Sequence, residues 1–151
     1  MDRFAHINLV TGNWRRLAGF YTDALGCRPA EPERDLSGDW LEQATAVPGA
    51  HITGIHLALP GYEKNPPTLE IFQYDRIEES TPAPANRAGF VHIAFGVDDV
   101  PGMLEKVLSY GGSQVGPVVE KEIAGAGTVT FVYVRDIDGN MVELQSWKHL
   151  A

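Results

Sequence analysis

Four residues of this 151-residue chain are of types that do chemistry and sit in matched surroundings: His6, Glu70, His92 and Glu143. Glu143 belongs to Met141-Val-Glu-Leu-Gln-Ser-Trp147, where alternation puts it on one strand face with Met141, Gln145 and Trp147. Desolvating an unpaired carboxylate costs roughly several kcal/mol, so such a group is expected to be hydrogen-bonded, paired, protonated or on a metal. Taken singly, a strand histidine is more often a hydrogen-bonded core residue, and a strand glutamate is more often solvated. Taken together, two imidazoles and two carboxylates suit one borderline divalent ion such as Zn²⁺, Ni²⁺, Co²⁺, Mn²⁺ or Fe²⁺. The remaining coordination positions would then be left to water or substrate.

The elements that must position these groups repeat. Phe4-Ala-His-Ile-Asn-Leu-Val10 reads as a strand, after which Asn13 caps a helix with Trp14, Leu17, Ala18, Tyr21 and Leu25 on one face, ended by Gly26. Phe90-Val-His-Ile-Ala-Phe95 reads as a second such strand, and Asp99 caps a helix with Val100, Met103, Leu104, Val107 and Leu108 inward before Gly111-Gly112. Strand, cap and helix end share one offset of 86 (90 − 4, 99 − 13, 112 − 26), which marks an internal duplication. Each half closes on a glutamate strand, Leu69-Glu-Ile71 or Val142-Glu-Leu144.

The spacing predicts one domain over 1–151, with a βαβββ module at 4–75, a linker at 76–88 and a second module at 89–148. In the first module Cys27 to Glu33 is a candidate strand. Asp35 to Gly49 reads as an insertion with a capped short helix at Asp39-Trp-Leu-Glu42, and His51–Leu59 and Pro67–Tyr74 as two further strands. Thr128–Val134 pairs with the Glu143 strand across an Asp138-Gly139-Asn140 turn. His56 either lines a pocket or is a packed or exposed structural histidine, and the second reading is preferred; His51 and His149 read as superficial. Trp40, Tyr62, Phe72, Tyr74 and Trp147 are candidates for an apolar substrate pocket or for plain core.

A formal charge of −8 argues against nucleic acid or an anionic membrane as partner, since both select clustered Lys and Arg. Cys27 is the only cysteine, so neither an intrachain disulfide nor a thiolate zinc site is available, and Cys27 reads as a small buried apolar group. No stretch approaches the roughly 20 apolar residues of a membrane span, and the opening Met-Asp-Arg-Phe-Ala-His is not a leader pattern, so the cytoplasm is the expected location.

Three stretches carry a resemblance: Phe20-Tyr-Thr-Asp-Ala-Leu-Gly26, Gly89-Phe-Val-His-Ile-Ala-Phe95 with Val97-Asp-Asp-Val100, and Arg135-Asp-Ile-Asp-Gly-Asn-Met-Val-Glu-Leu144. They resemble the vicinal oxygen chelate superfamily of glyoxalase I, methylmalonyl-CoA epimerase, extradiol dioxygenases and the bleomycin and fosfomycin resistance proteins, with glyoxalase I-like members nearest. The resemblance implies an α+β fold of two βαβββ modules forming an open, curved mixed sheet around a metal site. It puts His6, Glu70, His92 and Glu143 on the four metal positions, with one divalent ion per site.

The activity implied is that of a metal-dependent lyase or isomerase moving a proton beside a carbonyl through an enediolate. Glu143 is the first choice of base and Glu70 serves the opposite face. A small-molecule substrate and a homodimer are implied as well. Two alternatives stand beside this one: an extradiol-type ring-cleaving dioxygenase, whose open iron positions an extra Glu70 would crowd, and a resistance protein that binds a drug without catalysis. On the first strand, Ile7, Asn8, Leu9 and Val10 follow His6 with no basic residue where glyoxalase I has an arginine for the glutathione carboxylate, which weighs against glutathione as the substrate.

Overall fold

A computed structural model describes residues 1–150. The chain forms two compact units, Met1–Glu79 and Ser80–Ala151, each built on its own mixed sheet.

In the first unit β1 (His6–Val10) leads into α1 (Trp14–Leu25), β2 (Arg28–Ser37), α2 (Asp39–Thr45), β3 (His51–Ala58) and β4 (Thr68–Tyr74), with sheet order β1-β4-β3-β2. Helix α1 starts where predicted because the Asn13 side chain accepts from the Arg16 N–H at 3.1 Å, and it ends where Gly26 turns left-handed at φ 71°. Its apolar stripe, Leu17 and Tyr21 foremost, covers one face of the sheet together with Leu57, Leu69 and Ile71, all five fully buried. Because β4 alternates, burying Leu69 and Ile71 turns Glu70, Phe72 and Tyr74 to the other face.

Two expectations shift here. The second strand runs on to Ser37, into residues read as insertion, because a bulge between Ala30 and Arg34 absorbs the proline and charge of Glu31-Pro-Glu33 and lets Arg34–Ser37 resume pairing with β3. The short helix exists, yet its cap is Gly38 with no side-chain hydrogen bond, and Asp39 lies inside the first turn. Leu41 of α2 packs with Ala50 and Ile52, and with Leu36, Phe72 and Tyr74, on the sheet face opposite α1.

The second unit runs β5 (His92–Gly96), α3 (Val100–Ser109), β6 (Ser113–Gln114), β7 (Val119–Ile123), β8 (Gly127–Arg135) and β9 (Met141–His149). Its sheet orders β5-β9-β8-β6, with β7 also on β8, so β6 and β7 share the place that β2 holds in the first unit. Asp99 caps α3 by accepting from the Gly102 N–H at 3.1 Å. The helix end differs slightly from expectation: Tyr110 is the cap and Gly111 takes the positive φ of 93°, while Gly112 packs so tightly that a Cβ would lie 2.6 Å from Val107. Leu108, expected inward, is exposed; Val100, Leu104 and Val107 make the buried stripe.

Both predicted strand starts begin two residues late, at His6 and His92, leaving Phe4 and Phe90 exposed. Residues 75–91 contain no helix or strand. No helix among the described residues is long and apolar enough to cross a membrane.

Candidate functional site

In the first unit the parallel register sets Asn8 opposite Glu70 and His6 opposite Thr68, so His6, Asn8 and Glu70 share a face. His6 Nε2 is 3.3 Å from Glu70 Oε2, and Asn8 Nδ2 donates to the same oxygen at 3.3 Å. The antiparallel register then sets His56 opposite Glu70. His56 Nε2 lies 3.0 Å from Glu70 Oε1, while its Nδ1 is 3.1 Å from the Thr68 hydroxyl. Burial lowers the His56 pKa, against the smaller opposing pull of Glu70. His56, read from the sequence as a packed or exposed structural histidine, is part-buried and touches the carboxylate that the sequence singled out.

The second unit repeats half of this arrangement. His92 Nε2 is 3.1 Å from Glu143 Oε2, and their side chains are 33% and 15% exposed, so the carboxylate is the sheltered member. Ala94 and Tyr133 stand opposite Glu143, in the places of Asn8 and His56. The Tyr133 ring packs edge-on to His92 at 5.1 Å, and burial, followed by the Glu143 charge, raises its pKa.

The turn that delivers Glu143 is anchored one step earlier than its Asp138-Gly139-Asn140 tip. The buried Asp136 accepts from the Asp138 N–H at 2.9 Å and the Asn140 N–H at 3.0 Å, and its second oxygen takes the Asn140 side-chain amide at 2.9 Å.

The first unit therefore gathers His6 and His56 on Glu70, and the second pairs His92 with Glu143. Among the described residues, no group of three or more His, Cys, Asp and Glu side chains converges to hold a metal. Within each pair the spacing suits a shared ion: bonds of about 2.1 Å at about 90° to 109° put neighbouring donor atoms about 3.0 to 3.4 Å apart. His56 approaches the far oxygen of Glu70, so Oε2 is left to His6.

The aromatic residues divide. Phe72 and Tyr74 belong to the Leu41 cluster, whereas Trp40 and Tyr62 are exposed and the Trp147 indole donates to Gln145 at 2.8 Å. A cavity of about 290 Å³ lies between α1 and β2, lined by Trp14, Arg15, Glu33 and Leu57, on the helix-covered side of the sheet rather than beside Glu70. His51, expected to be superficial, is braced between Asp35 at 2.7 Å and Asp75 at 3.0 Å, and those two carboxylates, Asp35 first, raise its pKa. Cys27 is buried as expected, and burial pushes its thiol up to about 12.

The sequence matches the model of the Glyoxalase/Bleomycin resistance protein/Dioxygenase superfamily over residues 3–144, and the chain belongs to that superfamily. Solved structures agree on the fold. A glyoxalase family protein from Bacillus cereus superposes with a TM-score of 0.83 at 19% identity, over 97% of this chain and 95% of that one. The trypanothione-dependent glyoxalase I of Leishmania major gives 0.62 at 23% identity, over 97% and 87%. A genomically encoded fosfomycin resistance protein from Listeria monocytogenes gives 0.58 at 16%, over 98% and 95%. No curated protein sequence matches the chain.

Proposed function

We propose that the chain is a metal-dependent lyase or isomerase of the glyoxalase I kind, acting on a small 2-oxo or 2-hydroxy acid derivative. The observation that carries this is the repeated pair, His6 with Glu70 and His92 with Glu143, at equivalent positions of duplicated units and each with a within-pair separation that suits two donors on one ion. His6, Glu70, His92 and Glu143 would hold one divalent ion, of the Zn²⁺, Ni²⁺, Co²⁺, Mn²⁺ or Fe²⁺ group. When bound, the ion supplies electrostatic stabilisation of negative charge developing on a carbonyl oxygen.

The chain's own residues do the rest. Glu143, sheltered and backed by His92, takes the proton from the carbon beside that carbonyl and returns it to the product, a contribution of about 10²- to 10⁴-fold. Glu70 is the carboxylate available on the opposite face, and the two histidines stay ligands. A homodimer is part of the same proposal, its sites formed either within one chain or from His6 and Glu70 of one chain with His92 and Glu143 of the other. Retention of all four side chains favours this reading over sequestration of a drug, and the fourth donor, Glu70, weighs against ring cleavage, which needs open positions for both catechol and oxygen.

Elemental analysis tests it first. Protein purified without chelator should carry close to one transition ion per site, and His92→Ala should lose most of it. In D₂O, metal-loaded protein given methylglyoxal hemithioacetals of several thiols should place deuterium on the α-carbon. A protein that none of the five ions can load refutes the proposal.

A further inference from the structure

The two glutamates are held unequally. Glu70 is surrounded by three nitrogen groups, His6 and Asn8 on Oε2 and His56 on Oε1, and its side chain is only 12% exposed. Glu143 makes one close polar contact among the described residues, with His92, while Ala94 and Tyr133 stand in the places of Asn8 and His56 and Tyr133 only feels its charge.

The chemistry of the Thr68–His56–Glu70 chain fixes its direction. A carboxylate only accepts, so His56 Nε2 must carry the proton it donates to Glu70, and Nδ1 of the neutral ring then accepts from the Thr68 hydroxyl. We infer that His56 is a positioning residue: relayed from Thr68, it pins Oε1 of Glu70 and points Oε2 at His6, making Glu70 a donor of fixed orientation toward the proposed ion. The functional half rests on the proposed metal-dependent reaction. The clamp itself does not.

Two measurements decide it. In metal-free protein at pH 8, long-range ¹H–¹⁵N correlations of the His56 ring should show the Nε2–H tautomer alone, and Glu70→Leu should release it to a mixture. An Nδ1–H ring, or a mixture in the wild type, overturns the clamp whatever the metal result. In Zn²⁺ competition against a chelator, His56→Leu should weaken binding about tenfold with unchanged stoichiometry, and should cost nothing further in a Glu70→Gln background. Equal loss in both backgrounds overturns the positioning role, as does a His56 Nε2 resonance that becomes metal-bound. Wild-type protein that takes up no Zn²⁺, Ni²⁺, Co²⁺, Mn²⁺ or Fe²⁺ refutes the proposed function instead, and the tautomer result still judges the clamp.

Discussion

At the scale of single residues, the proposed reaction gives the two unequally held glutamates different roles, which substitution tests. Glu143→Gln is expected to cut turnover by about 10²-fold or more in a protein whose circular dichroism is unchanged, because it keeps shape and removes the basic oxygen. Cys27 offers a control remote from that chemistry. Its folded pKa of about 12 lies above the usual thiol value of about 8.5, so the unfolded state releases its proton first as pH rises. Stability from this group is therefore whole below about pH 8.5 and drains away toward pH 12. Reaction with an aromatic disulfide reagent at pH 8 should be negligible in native protein and complete in denaturant.

The four candidate ligands were legible as residues because each sits in a short motif that recurs in the other half, the histidines 86 positions apart (92 − 6) and the glutamates 73 (143 − 70). His56 was legible only through pairing: it and Glu70 are each seven positions from Glu63 at the centre of the β3–β4 loop, so they face one another.

At the scale of elements, β3 is fixed between β2 and β4 by a close approach. A Cβ on Gly54 would lie 2.1 Å from the Ile71 carbonyl oxygen and 2.9 Å from the Phe72 ring. Gly54→Ala should accordingly destabilise the protein by at least about 2 kcal/mol in urea titration, more than Asn13→Ala, where loss of one helix cap costs about 1 kcal/mol.

His51 adds a pH-dependent tie, since it joins Asp35 of β2 to Asp75 just past β4 from its own place at the head of β3. Its folded pKa is raised, so its contribution is full below the unfolded value of about 6.5 and is lost as pH climbs through the folded one. Melting temperatures of wild type and His51→Gln should converge as pH is taken from 6 to 9, with the wild type falling more.

Helix caps and apolar stripes were readable because their signals are local. The extension of β2 was not, because a bulge hides strand continuation behind residues that favour turns. Its counterpart is split into β6 and β7, with Gly116 and Pro117 between the two pieces.

At the scale of the molecule, the proposed ion is a ligand of the folded state and should stabilise it. Zn²⁺ at one hundred times its Kd is worth about 2.7 kcal/mol, which calorimetry would read as a higher melting temperature in the wild type and none in His6→Ala or His92→Ala. Loss in either variant alone is what separates one four-ligand site from two independent pairs.

The sheets carry one more consequence in their margins. In the first unit the β2 margin, Arg28-Pro-Ala-Glu-Pro-Glu-Arg-Asp-Leu-Ser37, is broken by two prolines and a bulge and is dense in charge, which makes it a poor template for a foreign strand. In the second unit β7, Val119-Glu-Lys-Glu-Ile123, lies along the corresponding margin with three charged residues in five. The opposite margins are β1, His-Ile-Asn-Leu-Val, and β5, His-Ile-Ala-Phe-Gly, with neither proline nor a formal charge. A foreign strand would thus meet less obstruction, in either sheet, along the margin that begins with a histidine.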